Sequence, residues 1–218
     1  MSDLDYLSSL KEELFSALLG DIMDTKGLVR QFLPPEIKPI DRNTKLVGRA
    51  MPVVEKDIQR PDEAPFGKMF DALDELKPGE VYLATGASQN YALWGGLMTT
   101  RAKKLGAEGA VLLGYHRDTW EILEQGFPCF SMGSYAQDQG VRGKVVDYRC
   151  SVDTHNGVHV DPDDLVFGDL DGVVIVPKRV EEEVIEEAHE KMAGEDNVRK
   201  SIIGGMSTKE AFKKYGIM

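Results

Sequence analysis

Two short apolar runs, Val81-Tyr82-Leu83-Ala84 and Ala110-Val111-Leu112-Leu113, bracket a segment of helical character. The second run is continuous rather than alternating, as expected of a strand buried on both faces. Strand, helix and strand make a βαβ unit, whose parallel strands are joined by a right-handed crossover. Such a unit needs helices over its sheet, which directs the chain to the α/β class with a mixed sheet. The helix is expected from Gly95 to Leu105, stopped by Gly106.

The flanking segments fit that centre. Leu7, Leu10, Leu14, Leu18 and Leu19 recur at helical spacing, so residues 5–27 read as helices packing on the body or on a neighbouring subunit. Prolines 34, 35 and 39 make residues 34–39 an extended connector. Residues 46–54 are expected as a strand with a bulge or bend at Gly48, 55–65 as a loop, and 66–76 as a short helix. Residues 85–94 read as a loop of small and amide side chains, and 119–124 as a helix capped near Asp118 or Thr119. Short strands are expected at 127–130, 144–148, 159–160, 165–168 and 172–176. A charged helix over 179–193 and a last helix capped by Ser207 or Thr208 complete one domain over residues 1–218, with helices across 179–215.

The formal net charge of -11 argues against a nucleic-acid surface, which needs a basic patch. An anionic substrate would need a local positive spot, an arginine or a bound metal. Cys129 and Cys150 are far apart and match no metal spacing, which suits a reducing compartment. The first residues, MSDLDYLSSLKEELF, are acidic and amphipathic rather than signal-like. No run has the apolar length of a membrane span, so a soluble cytoplasmic protein is expected.

Chemistry is expected where the second strand of the βαβ unit ends, because ligands of open α/β sheets bind there. Arg117-Asp118 follows that strand. Arg117 can grip a carboxylate with two parallel hydrogen bonds, and Asp118 is a hard oxygen ligand for Mg²⁺ or Mn²⁺. By spacing alone, a pair that caps the next helix is the more economical reading. Gly95-Gly96 at a helix start would let an anion approach the free N–H groups of Gly96, Leu97 and Met98, and close helix–strand packing explains the glycines equally well. His116, beside the pair, could act as a general acid or base, or simply line the cleft. His155, His159 and His189 show no ligand spacing. Glu195 follows Gly194, expected to break the helix, and could reach a cleft of another subunit. Asp169 and Asp171 read as turn residues.

Taken together, Pro78-Gly79-Glu80-Val81, Ala92-Leu93-Trp94-Gly95-Gly96-Leu97, Gly114-Tyr115-His116-Arg117-Asp118 and the stretch from Asp163 to Pro177 resemble the RraA-like family. Ser16-Ala17-Leu18-Leu19-Gly20-Asp21 belongs to the same resemblance, which runs over residues 10–215. It implies an α/β/β/α sandwich resembling the phosphohistidine swivelling domain, in a homotrimer or hexamer with sites between subunits. It also implies metal-dependent cleavage or decarboxylation of a small 2-oxo acid through a pyruvate enolate, as in 4-hydroxy-4-methyl-2-oxoglutarate and 4-carboxy-4-hydroxy-2-oxoadipate aldolases. Carried over, Asp118 would hold Mg²⁺ or Mn²⁺, and Arg117 would hold the 2-oxo acid and its developing enolate. The N–H groups around Gly96, Leu97 and Met98 would grip its carboxylate, and Glu195 would orient water across the interface. Ribonuclease E inhibitors of this family lack the Arg-Asp pair, so its presence favours the enzymes over a non-catalytic regulatory protein. One departure stands out. Those aldolases carry an acid 22 residues before the metal aspartate, where this chain has Gly96, and His116 or Glu195 could stand in for it. Leu113 replaces a frequent Asp.

Overall fold

Helices open and close the chain, and the strands lie between. The computed structural model describes residues 2–59 and 65–216. In chain order, α1 (Asp3–Glu13) and α2 (Ser16–Thr25) precede β1 (Lys38–Pro39), β2 (Leu46–Asp57) and β3 (Phe66–Gly67). Next come α3 (Met69–Asp74), β4 (Glu80–Thr85), β5 (Ala92–Trp94), α4 (Gly96–Leu105) and β6 (Gly109–Leu112). They are followed by β7 (Tyr115–His116), α5 (Thr119–Gln125), β8 (Cys129–Ser131) and β9 (Gly143–Tyr148). Four short strands, β10 (Val152–Asp153), β11 (His159–Val160), β12 (Leu165–Gly168) and β13 (Val173–Val176), lead to α6 (Glu181–Ile203) and α7 (Thr208–Tyr215).

The βαβ unit forms as read. β4 and β6 pair in parallel, Val81 against Gly109 through Ala84 against Leu112. Gly106 ends α4 at φ 82°, a left-handed cap that glycine adopts without a Cβ penalty. β2 and β8 extend the parallel set on either side, whereas β1, β12 and β13 join antiparallel, in the order β1-β8-β6-β4-β2-β12-β13. The result is a curled mixed sheet flanked by helices.

Alternation along the strands sorts the core into layers. Val81 and Leu83 of β4 face inward with Val111, Phe130, Val166 and Ile175. Tyr82 and Ala84 face outward, beneath Trp94, Ala102 and Ile122. On β12 and β13, Leu165, Phe167, Val174 and Val176 face outward under the leucines of α1 and α2 and Val184 of α6. β4, β12 and β13 are thus buried on both sides, as the unbroken apolar runs require.

Several boundaries differ from the sequence reading. β2 continues to Asp57, into residues read as loop, because β9 pairs with it from Val53 to Asp57. Its irregularity falls between Val54 and Glu55, not at Gly48. Gly48 instead permits close packing, since a Cβ there would stand 2.7 Å from Gly79 O. Residues 60–64, part of the same expected loop, lie outside the described residues. The helix expected over 66–76 shortens to α3, because Phe66, at φ 68°, and Gly67 pair with β9. Gly194 does not break α6, which runs on to Ile203. The capping box before α7 is present, Ser207 with Glu210. Among the described residues, no helix is long and apolar enough to cross a membrane.

Candidate active site

The loop bearing Arg117 and Asp118 is fastened by two strands too short to foresee. β5 and β7 pair in parallel, and the Arg117 N–H donates to Trp94 O at 2.9 Å. The Trp94 indole N–H in turn donates to Thr99 Oγ1 at 2.7 Å, inside the first turns of α4. The start of α4 and the Arg-Asp loop are therefore held as one piece at the carboxyl end of β6.

Asp118 has φ 56° and ψ 39°, a left-handed conformation that few residues other than glycine, asparagine and aspartate accept. Its side chain makes no cap to α5. The economical reading of a helix-capping pair is thereby corrected: the carboxylate crosses to α4, where Oδ2 accepts from the Gly96 N–H at 3.0 Å. Leu97 and Met98 follow in the first turn, ahead of the first intrahelical bond, from Thr99 N–H to Gly95 O.

The two glycines serve different approaches. A Cβ on Gly95 would lie 2.6 Å from Asp118 Oδ2, so glycine is what lets that carboxylate in. A Cβ on Gly96 would land on the Glu121 carboxylate. Glu121, on α5, thus fills the space that a side chain at position 96 would take.

Arg117 is shared between two acids. Its Nη1 lies 3.1 Å from Asp138 Oδ1 and its Nε 3.8 Å from Asp118 Oδ2. Asp138, 21 residues beyond Arg117, and Glu121 were both missed by the sequence reading. Gly95, Leu97, Met98, Arg117, Asp118 and Asp138 line one cavity of about 320 Å³ whose other walls are largely apolar. Gln139 also borders it, and its amide N–H donates to Glu55 Oε2 at 2.8 Å. Burial pushes the Glu55 carboxyl up to about 8, with nearby Asp57 adding to the rise.

Two expected participants lie elsewhere within the chain. His116 is buried, with Nδ1 2.7 Å from Ser131 Oγ and Nε2 2.9 Å from Thr119 Oγ1. Burial lowers its pKa, which keeps the ring neutral. It borders a separate recess with Lys38 and Ser131 rather than the Arg117 cavity. Glu195 sits within α6, 3.9 Å from Lys191, and does not line that cavity.

Among the described residues no cluster of three or more His, Cys, Asp or Glu forms a metal cage. Mg²⁺ does not need one, because it keeps several waters and takes one or two carboxylates plus substrate oxygens. The Asp118 side chain is 42% exposed and borders the cavity, which suits that mode. The local charge suits it too. One guanidinium faces the carboxylates of Asp118 and Asp138, which leaves the mouth with a negative balance that would suit a cation.

A mixed sheet with a charged pair at the end of a parallel strand defines an α/β protein with a candidate ligand site at the sheet's carboxyl edge. The chain belongs to the RraA-like family: the family model described as "RraA-like: Aldolase/RraA" matches residues 16–175. The "Putative 4-hydroxy-4-methyl-2-oxoglutarate aldolase" of Halalkalibacterium halodurans is 28% identical over 205 residues, covering 92% of this chain and 90% of that protein. Protein DlpA of Legionella pneumophila is 25% identical over 215 residues, covering 97% of this chain. The chain spans only about a third (34%) of DlpA's length. The crystal structure of Streptomyces coelicolor RraAS2, titled an unusual member of the RNase ES inhibitor RraA protein family, superposes with a TM-score of 0.81. It is 23% identical, and the match covers 92% of this chain and 100% of that one. The family thus holds proteins named as aldolases and proteins named as ribonuclease inhibitors.

Proposed function

We propose that this chain is a divalent-metal-dependent carbon–carbon lyase that cleaves or decarboxylates a small 2-oxo acid to pyruvate. The carrying observation is the placement of Arg117 and Asp118 beside the first turn of α4, at the mouth of one cavity. Arg117 binds the substrate carboxylate or 2-oxo oxygen, giving up part of its hold on Asp138. The N–H groups of Leu97 and Met98 offer further donors to the anion at a helix N-terminus. As the carbon–carbon bond breaks, negative charge collects on the 2-oxo oxygen, and the fixed guanidinium stabilises it without reorganising. Asp118 holds Mg²⁺ or Mn²⁺, which when bound supplies Lewis-acid polarisation of the 2-oxo group. Glu121 is the acid that occupies the place of a side chain at Gly96, and it takes the place in the reading that His116 and Glu195 held for this chain's own cleft. Glu195 remains a candidate toward the site of a neighbouring subunit in a trimer or hexamer.

The test is pyruvate release from oxaloacetate and 4-hydroxy-4-methyl-2-oxoglutarate by purified protein with Mg²⁺ or Mn²⁺. Turnover with either metal is expected, at least 100-fold reduced in Asp118→Ala. No pyruvate from any 2-oxo acid would defeat the reading. A non-catalytic regulatory role on the same fold is the second reading. The missing side chain at Gly96 favours it, and robust turnover would dismiss it.

A further inference from the structure

The cavity beside Arg117 has one charged end, and its remaining walls are apolar. Phe66, Met69, Phe70 and Leu73 form one wall and Leu97 and Met98 another, with the edges of β5 between them. Arg117 is the one cation lining it among the described residues, and that cation already faces Asp118 and Asp138. The other polar side chain there, Gln139, is buried and spends an amide N–H on Glu55. A ligand with one carboxylate can meet Arg117 and lay an apolar body on these walls. A ligand with two carboxylates would bring the second against apolar side chains with no partner among this chain's described residues, which is costly.

We propose that the substrate of this chain is a 2-oxo monocarboxylate with an apolar far end: a 4-hydroxy-2-oxo acid bearing an alkyl or aryl group at C4. This rests on the lyase reading above and departs from the dicarboxylate named for the Halalkalibacterium halodurans relative. In the reaction the C4 hydroxyl loses its proton and the C3–C4 bond breaks. Its electron pair passes to C3 as the pyruvate enolate, which takes one proton to give pyruvate. The departing fragment is an aldehyde that carries the apolar group, and no oxidant or reductant is consumed.

The full chain with Mg²⁺ or Mn²⁺ is assayed for pyruvate release from 4-hydroxy-2-oxo acids with C4 alkyl groups of increasing length, from the 4-phenyl compound, and from 4-hydroxy-4-methyl-2-oxoglutarate. The value of kcat/KM is expected to rise about fourfold per buried methylene until the cavity is filled. The apolar substrates should exceed the dicarboxylate at least tenfold, and a preference for the dicarboxylate overturns the proposal while leaving the lyase reading intact. Calorimetry separates the two in the absence of turnover. Phenylpyruvate binding more tightly than 2-oxoglutarate upholds the cavity's preference even if no pyruvate forms, and equal or weaker binding overturns it. Phe70→Arg offers a second cation at a half-exposed position, where folding is tolerant. It should move the ratio toward the dicarboxylate at least tenfold, and an unchanged ratio would mean that this wall does not meet the substrate.

Discussion

Gly95 and Gly96 are neighbours that should tolerate change very differently. A methyl group at Gly95 meets Asp118 Oδ2 at 2.6 Å and must push that carboxylate off the Gly96 N–H. A methyl at Gly96 meets only the far end of Glu121, an exposed side chain that can swing away. Gly95→Ala is therefore expected to weaken Mn²⁺ binding at least tenfold by calorimetry, whereas Gly96→Ala should change it less than threefold. Glu55 gives a second expectation. Its carboxyl is raised from near 4.5 to about 8, so the folded state keeps a proton that the unfolded state releases. Its contribution to stability is complete below pH 4.5 and is lost as pH climbs toward 8, at about 1.4 kcal/mol per unit while the two states differ by a full proton. Thermal melts should show Glu55→Gln flattening the fall in Tm between pH 5 and pH 8 and stabilising the protein at the alkaline end. Arg117 and Asp118 were legible because they follow an apolar strand by a few residues. Asp138 was not, since nothing local marks a carboxylate that a distant loop returns to Arg117. Glu121 carried a usable signal, as it lies one helical turn beyond Asp118.

At the scale of elements, the start of α2 hangs on one carboxylate. Asp169 is buried and accepts from both the Ser16 N–H and the Ser16 hydroxyl at 2.7 Å, across 153 residues of sequence. It also accepts from the Asp171 N–H at 2.9 Å, the turn role read from sequence. Hydrogen bonds to a charged acceptor contribute about 1.5–3 kcal/mol each, not additively. Asp169→Ala is accordingly expected to cost about 3 kcal/mol, a drop of roughly 6–12 °C in Tm for a chain of this size. The helices and longer strands were readable because their apolar periodicity repeats. β5 and β7 were not, because three-residue and two-residue strands show no period, and they arise only when the Arg117 N–H finds Trp94 O. α6 overran its expected end for an energetic reason. One glycine costs about 1 kcal/mol relative to alanine, too little to stop a 23-residue helix that packs Val184, Ile185, Ala188 and Val198.

Over the whole molecule, large apolar side chains stand exposed on α3, α4 and α5 in the single chain. Leu97 is 82% exposed and Trp120 87%, with Phe70 and Leu123 also exposed. Exposed apolar side chains of this size mark a covered surface, and they fit the proposed assembly with sites between subunits. Sedimentation velocity should find an oligomer, and Trp120→Glu should shift it toward monomer. An unchanged distribution would place any interface elsewhere.

The topology also sets an order in time. The βαβ unit that carries Gly95, Arg117 and Asp118 closes through contacts only about thirty residues apart, Val81 with Gly109. β2 gains its β12 neighbour only when Leu46 meets Gly168, across more than half the chain. Closing the longer loop carries the greater entropy penalty, and distant strand pairings generally come late in folding. A nascent chain is therefore expected to hold the segment bearing Arg117 and Asp118 before it holds the strands that roof the opposite face. The Arg-Asp loop can take its shape while the outer sheet is still open.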